Sequence, residues 1–393
     1  MREADGERGA LVALRGQVVT DYEVWPEGSI LLGGGSIREV SPDDSPLAEA
    51  DEVHEHGGSL LLPGFVDLQV NGAFGVDVAT ESSRLTKLSG ALLPTGTTAY
   101  LPTVISSPEG LYEGVLPELA AAIGEPSSGA EALGIHLEGP FINLAKRGAH
   151  AAAHVVAPDP GLLLRLLDLA PVRMITLAPE LDGAAELTQL AASRGVAVSA
   201  GHSDAAFEAA YGAFDASVAS VTHLFNAMSA LHHREPGLPG AAFAHPRVVC
   251  GLIADGLHVH PEMVGLAFRM LGPDRLCLTT DAIAAAGVGE GEYSLATRTV
   301  YMDGGLPRLG GGAIAGSVLT MNEAFRNILA FTGCTVPEAA RMASTSPARL
   351  IGEGRRKGRL VPGYDADATV LAPDLSVEAV WQSGELVYSG GGE

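Results

Sequence analysis

VRMITLAPELDGAAELTQLAASRGVAVSAGHSDAAFEAAYGAFDASVASVTHLFN, residues 172–226, holds three short apolar runs, Val172–Leu177, Val196–Ala200 and Ser220–Leu224. Each has the length of one buried strand, and a longer amphipathic stretch such as Ala205–Phe214 separates one from the next. Short apolar runs alternating with helical patterns predict parallel βαβ units. Outward from this stretch the alternation continues through Phe65–Val70, Thr97–Val104 and Ala132–Leu137 on one side and Val248–Ala254 and Arg275–Thr280 on the other. Eight such units predict an α/β fold, a (β/α)8 TIM-like barrel. Two helical stretches, Asn322–Phe331 and Val336–Ser344, follow the eighth run and pack outside the barrel.

Both ends of the chain have another character. ALVALRGQVV, EGSILLGGGSIREVSP and EVHEHGGSLLLPG are short strand-like pieces punctuated by Gly and Pro. The last stretch, GRLVPGYDADATVLAPDLSVEAVWQSGELVYSG, reads the same way. The two termini are therefore expected to build one small β-sandwich domain, residues 1–62 plus 359–393, around an inserted barrel of residues 63–358.

The bulk properties narrow the function. Hydrophobic residues form 47% of the 393, enough for a large core, and the net charge is -23. That charge disfavours nucleic acid, although a local basic pocket can still hold a small anion. No apolar stretch is long enough to span a membrane, and MREADGERGA lacks the apolar region of a secretory leader. Cys250, Cys277 and Cys334 form no C-x-x-C pair, and the first two sit in strand-like runs as buried thiols. A cytoplasmic protein is expected.

Placing the polar residues on the barrel frame exposes the chemistry. The first run ends in Gln69-Val-Asn71, the third in His136-Leu-Glu138, and the fifth leads to His202. The sixth carries His223 and then Asn226, the seventh leads to Asp255 and His258, and the eighth ends at Asp281. Barrel enzymes build active sites on this C-terminal face. Glu138, His202 and His223 offer one carboxylate and two imidazoles, a set suited to Zn²⁺, with Fe²⁺ or Co²⁺ also fitting. Three protein ligands leave a position open for hydrolytic water. Asp281 could exchange protons with that water, or it could be a helix N-cap before the Ala-rich segment that follows.

These residues and their surroundings resemble the amidohydrolase superfamily and, within it, the N-acetylglucosamine-6-phosphate deacetylase family. The resemblance rests on PGFVDLQVNG, HLEGPFIN, KRGAH, SAGHSDA, THLFNAM followed by HHREPG, ADGLHVH, LTTDA and AGSVLTM, and it covers essentially the whole chain. It implies hydrolysis of the acetamide of N-acetylglucosamine 6-phosphate, in amino-sugar catabolism and cell-wall recycling. It implies Glu138, His202 and His223 as ligands of one divalent ion, Asp281 as general base and then acid, and His150 as the group polarising the acetamide carbonyl. It also implies that Asn226, the backbone of Ala227, Arg234 and His258 hold the 6-phosphate. In the family the arginine can come from a neighbouring subunit, so a homodimer with a shared phosphate site is expected.

Many members of the superfamily carry His-x-His on the first strand and bind two metals. Here Gln69 and Asn71 stand there as possible vestiges of a second-metal position, and the fourth run ends in Leu177-Ala178-Pro179-Glu180 without a lysine, so one ion is expected. Two other readings compete. One is a related amidohydrolase acting on N-acetylgalactosamine 6-phosphate or an N-acyl-D-amino acid. The other is a non-catalytic sugar-phosphate binder. The remaining histidines are given ordinary places: His54 and His56 at surface or edge-strand positions, His136 in the barrel core beside the site, and His232 and His233 as neighbours of the phosphate pocket. The GGG runs at 33–35 and 310–312 are turns, since neither has the strand-turn-helix context of a nucleotide loop.

Overall fold

The computed structural model describes residues 10–125 and 128–390, so the charged stretch 1–9 from which the absence of a leader was read lies outside it. Each of the eight expected runs is a strand. They are β1 (Phe65–Val70), β2 (Thr97–Ile105), β3 (Ile135–Glu138), β4 (Val172–Leu177), β5 (Ala197–Ala200), β6 (Val218–Val221), β7 (Val249–Leu252) and β8 (Leu276–Leu278). All eight are parallel and lie side by side in chain order. Every residue of β2 is buried, as a strand covered on both faces must be. The covering helices are α1 (Leu85–Leu92), α2 (Glu109–Ile123), α3 (Pro160–Leu169), α4 (Ala184–Ser193), α5 (Phe207–Ala216), α6 (Gly237–Ala244), α7 (Pro261–Leu271) and α8 (Met321–Thr332). Local chemistry starts them where the sequence asks. Asp159 accepts from the N–H groups of Gly161 and Leu162 ahead of α3, and Thr320 with Glu323 forms a capping box on α8.

The barrel closes where β8 meets β1. Val70 bridges Ala282, and the buried Asp67 carboxylate accepts from Thr279 Oγ1 at 3.0 Å, Thr280 Oγ1 at 2.5 Å and the Thr280 backbone N at 3.2 Å. Burial pushes the Asp67 carboxyl up to about 6, even against those hydrogen bonds.

Both termini build the second sheet. Its order is Glu385–Ser389, Val377–Gln382, Ala368–Leu371, Glu52–Pro63, Val12–Val19, Val24–Gly33 and Ser36–Ser41, all hydrogen-bonded into one seven-stranded mixed sheet. Glu52–Pro63 lies in its interior, parallel to Val12–Val19 and antiparallel to Ala368–Leu371. His54 and His56 therefore do not sit on an edge strand, and His56 is buried with Nδ1 2.7 Å from Glu378. Leu14, Ile30, Leu61, Val370 and Trp381 form this sheet's own apolar core. Lys357, 4% exposed, fastens the C-terminal segment to the barrel, with Nζ 2.6 Å from Asp367, 2.7 Å from Glu131 and 3.0 Å from Asp365.

Between β8 and α8 lies an element that the sequence reading passed over, a three-stranded antiparallel sheet of Gly291–Leu295, Arg298–Asp303 and Leu306–Leu309. Both GGG runs are turns at strand ends. Cys250 and Cys277 are buried free thiols. Among the described residues no helix is long and apolar enough to cross a membrane.

Candidate metal and catalytic site

The C-terminal ends of the strands bring the expected residues together. Glu138 is the last residue of β3, while His202, His223 and Asp281 each follow their strand by two or three positions. These three turn away from the strand direction with left-handed backbones, φ 48°, 34° and 51°. Such conformations disfavour residues with a Cβ, and their coincidence on one face marks a functional centre. Asp281 is not a helix N-cap, because Ala282 after it bridges Val70 and the Ala-rich stretch from residue 284 to 288 is a turn rather than a helix.

Glu138 Oε1 lies 3.0 Å from His202 Nε2 and 3.0 Å from His223 Nε2, and the two nitrogens are 3.1 Å apart. All three side chains are buried, and their ligand atoms form the one such cluster among the described residues able to hold a metal ion. His202 Nδ1 is 2.9 Å from the carbonyl of Lys146, so it carries the proton of the neutral ring and leaves the Nε2 lone pair facing Glu138. Electron-pair donors this close repel unless positive charge lies between them, and the donor set of one carboxylate and two imidazoles fits a divalent cation. Burial alone would raise the Glu138 carboxyl, but its contacts with His202 and His223 outweigh it and hold the group well below the usual carboxylate range.

His150 closes one side of the cluster. Its ring lies 4.4 Å from that of His202, and its Nε2 is 3.8 Å from Glu138 Oε2. Nδ1 is 2.8 Å from Ser106 Oγ and accepts from the Ser106 backbone N–H at 3.2 Å. A backbone N–H can only donate, so the ring proton sits on Nε2 and faces the site. Burial pushes His150 down to about 3, so the ring is a neutral donor.

Asp281 is pushed upward, first by burial and then by the negative charge of Glu138. The two first-strand amides serve these carboxylates. Gln69 Nε2 donates to Glu138 Oε1 at 2.9 Å, and Asn71 Nδ2 donates to Asp281 Oδ1 at 2.7 Å. His136, deeper in the barrel, has Nδ1 3.0 Å from the carbonyl of Leu68 and Nε2 2.8 Å from Thr176 Oγ1. Both ring nitrogens are engaged there, so His136 is a core residue beside the site.

A cavity of about 360 Å³ opens over this group and is lined by Asn71, Glu138, His150, His202, His223 and Asp281. Its outer wall includes Lys146, Asn226, Ala227 and His258, with Leu295 of the inserted sheet and Ile314 just after it. His258 Nδ1 lies 2.6 Å from Asp255 Oδ2, which leaves Nε2 for a ligand. Ala227 is also left-handed, φ 49°. Arg234 does not line the cavity; with His232 and His233 it is exposed on the segment before α6. A larger cavity of about 590 Å³ lies elsewhere, and its Glu131, Arg356 and Asp365 are already paired with one another. Sequence reading missed Ser106, the Lys146 carbonyl and Asp67, because none belongs to a side-chain pattern that names its partner.

A barrel with this constellation defines a metal-assisted hydrolase, and the chain belongs to the amidohydrolase family, whose model matches residues 60–387. Its relatives narrow the class. Human N-acetylglucosamine-6-phosphate deacetylase is 39% identical, with 99% of this chain and 98% of that one covered. N-acetylgalactosamine-6-phosphate deacetylase of Escherichia coli O157:H7 is 34% identical over 95% and 98%. A variant of the Mycobacterium smegmatis N-acetyl-D-glucosamine-6-phosphate deacetylase, solved in complex with N-acetyl-D-glucosamine-6-phosphate, superposes with TM-score 0.90 at 32% identity, covering 98% of this chain and 100% of that one.

Proposed function

We propose that this protein hydrolyses the acetamide of N-acetylglucosamine 6-phosphate, giving glucosamine 6-phosphate and acetate. The observation that carries the reading is the convergence of Glu138, His202, His223, His150 and Asp281 from the strand ends and loops of one barrel face into one cavity. A divalent ion held by Glu138, His202 and His223, Zn²⁺ in our reading, supplies Lewis acidity that activates water near neutral pH and draws charge from the acyl carbonyl. Asp281, whose carboxyl is raised, takes a proton from the attacking water and delivers it to the leaving nitrogen. His150 donates its Nε2–H to the oxygen that becomes negative as the carbonyl is attacked. One water is consumed, the C–N bond breaks, and the amine leaves with the proton.

The amides of Gln69 and Asn71 point N–H groups at Glu138 and Asp281, which supports one ion per chain because a second metal would need lone pairs there. Asn226, the Ala227 backbone and His258 are proposed to hold the 6-phosphate at the outer wall. Arg234 completes that set from a second copy of the chain, a reading supported by its exposure outside this chain's own cavity. Three unpaired thiols fit a reducing, cytoplasmic setting. Residues 1–62 with 359–393 are taken as the β domain and 63–358 as the barrel.

The test is acetate release by metal-loaded protein from N-acetylglucosamine 6-phosphate, its unphosphorylated form and N-acetylgalactosamine 6-phosphate. Strong preference for a phosphorylated sugar supports the phosphate set, and the faster hexosamine is the substrate. Equal rates with and without phosphate remove that set but keep the deacetylase. No release from any of them, with N-acyl-D-amino acids also inert, favours the non-catalytic binder.

A further inference from the structure

Glu180 ends the run Leu177-Ala178-Pro179-Glu180 beyond β4, and none of the chemistry above uses it. Its carboxylate reaches two other loops. Oε1 accepts from Asn143 Nδ2 at 2.9 Å and from the Asp204 backbone N at 2.6 Å, and Oε2 accepts from Ser203 Oγ at 2.7 Å. Asn143 in turn donates its backbone N–H to the His202 carbonyl at 2.9 Å and accepts from the Ala145 N–H at 2.9 Å. The second contact shapes the short turn Leu144–Lys146, whose Lys146 carbonyl takes the proton of His202 Nδ1. Ser203 and Asp204 directly follow His202, and the Ser203 N–H also bonds the Ala227 carbonyl at 3.2 Å.

One carboxylate thus ties down both the backbone after His202 and the turn that fixes its tautomer. His202 needs such support, since its left-handed backbone persists only where the surroundings over-determine it. Partners that orient a metal-bound imidazole set how well it binds. We propose that Glu180 is a positioning residue of the metal site, holding the His202 ring in tautomer and direction for the ion. This rests on the reading of Glu138, His202 and His223 as metal ligands. It gives the end of β4 a role although that strand supplies no ligand. Lys146 Nζ, 3.1 Å from Asp204 Oδ1, adds a second tie between the same two loops.

The experiment measures Zn²⁺ affinity of the metal-free full chain by competition with a chromophoric chelator, together with the melting temperature of the metal-free chain. Glu180→Gln keeps the shape but sets an N–H against donors. It is expected to weaken Zn²⁺ binding about 10–100-fold while leaving the metal-free melting temperature unchanged. Ser203→Ala, which removes one of the three bonds, weakens it by a smaller factor. Lys357→Met, remote from the cavity, lowers the melting temperature without changing Zn²⁺ affinity. Wild-type affinity in Glu180→Gln overturns the proposal, as does a loss matched by Lys357→Met. Failure of the wild type to take up Zn²⁺, or undiminished uptake by Glu138→Gln, instead overturns the metal reading and the proposal with it.

Discussion

His150 offers the most direct test of the chemistry, because the structure assigns its proton. The Ser106 backbone N–H can only donate, so Nδ1 accepts and the neutral ring carries its proton on Nε2, facing the cavity. A donor aimed at the oxygen that turns negative acts in the transition state and hardly at all on bound substrate. His150→Ala should therefore lower kcat about 100–1000-fold, the usual effect of removing one such donor, with KM little changed. Ser106→Ala makes a graded comparison. It removes the Oγ contact at 2.8 Å but keeps the backbone N–H that sets the tautomer. One hydrogen bond contributes about 0.5–1.5 kcal/mol, so the loss in kcat should stay within about 2–10-fold. The assay is steady-state acetate release from N-acetylglucosamine 6-phosphate by Zn²⁺-loaded variants whose metal content is measured. A His150→Ala rate within a few-fold of wild type would refute the role. A Ser106→Ala defect as deep as that of His150→Ala would show that the hydroxyl, not the backbone, governs the ring.

Three other outcomes are expected. Asp281→Asn should keep metal and substrate binding and lose most turnover, since an amide cannot carry the proton; near-wild-type turnover with full metal would contradict the assignment. Asp67, with its folded carboxyl raised to about 6, holds a proton more tightly folded than unfolded, so its burial costs stability above that pH and the cost fades as pH falls toward the ordinary value of 3.8. The full cost is about 3 kcal/mol. The stability of Asp67→Asn relative to wild type should thus be more favourable at pH 7.5 than at pH 4.5 by denaturant unfolding, and a pH-independent difference would refute this. Lys357→Met leaves Asp367 buried without its cation, so unfolding free energy should fall by about 3–5 kcal/mol, read from the same denaturant curves.

The outline of this protein was legible in one dimension because its signals are periodic. Short apolar runs and amphipathic stretches alternate whether or not a partner is known, so all eight barrel strands could be placed from Phe65–Val70 to Arg275–Thr280, and the Gly- and Pro-punctuated strands at both ends placed the terminal sheet. Strand ends were readable too. A side chain such as Glu138 or Asp281 at the end of an apolar run has one face of the barrel to occupy, and the long family-like motifs supplied its role. Gly291–Leu309 was passed over because its short strands, with exposed residues and repeated glycines, carry little apolar signal.

What only the tertiary structure decided are relations between residues far apart in the chain. The helix-cap reading of Asp281 fell when the Ala-rich stretch beyond it proved to be a turn and Asn71, 210 positions away, proved to be its donor. The His150 tautomer depends on a backbone N–H of Ser106, and that of His202 on the Lys146 carbonyl. Backbone groups are the same at every residue, so no side-chain pattern could name these two. The reach of Glu180 into two loops is invisible for the same reason. Residue types and their order determine which groups arrive at the barrel mouth; their directions, protons and mutual distances come from loops whose geometry exists only once the chain is closed on itself.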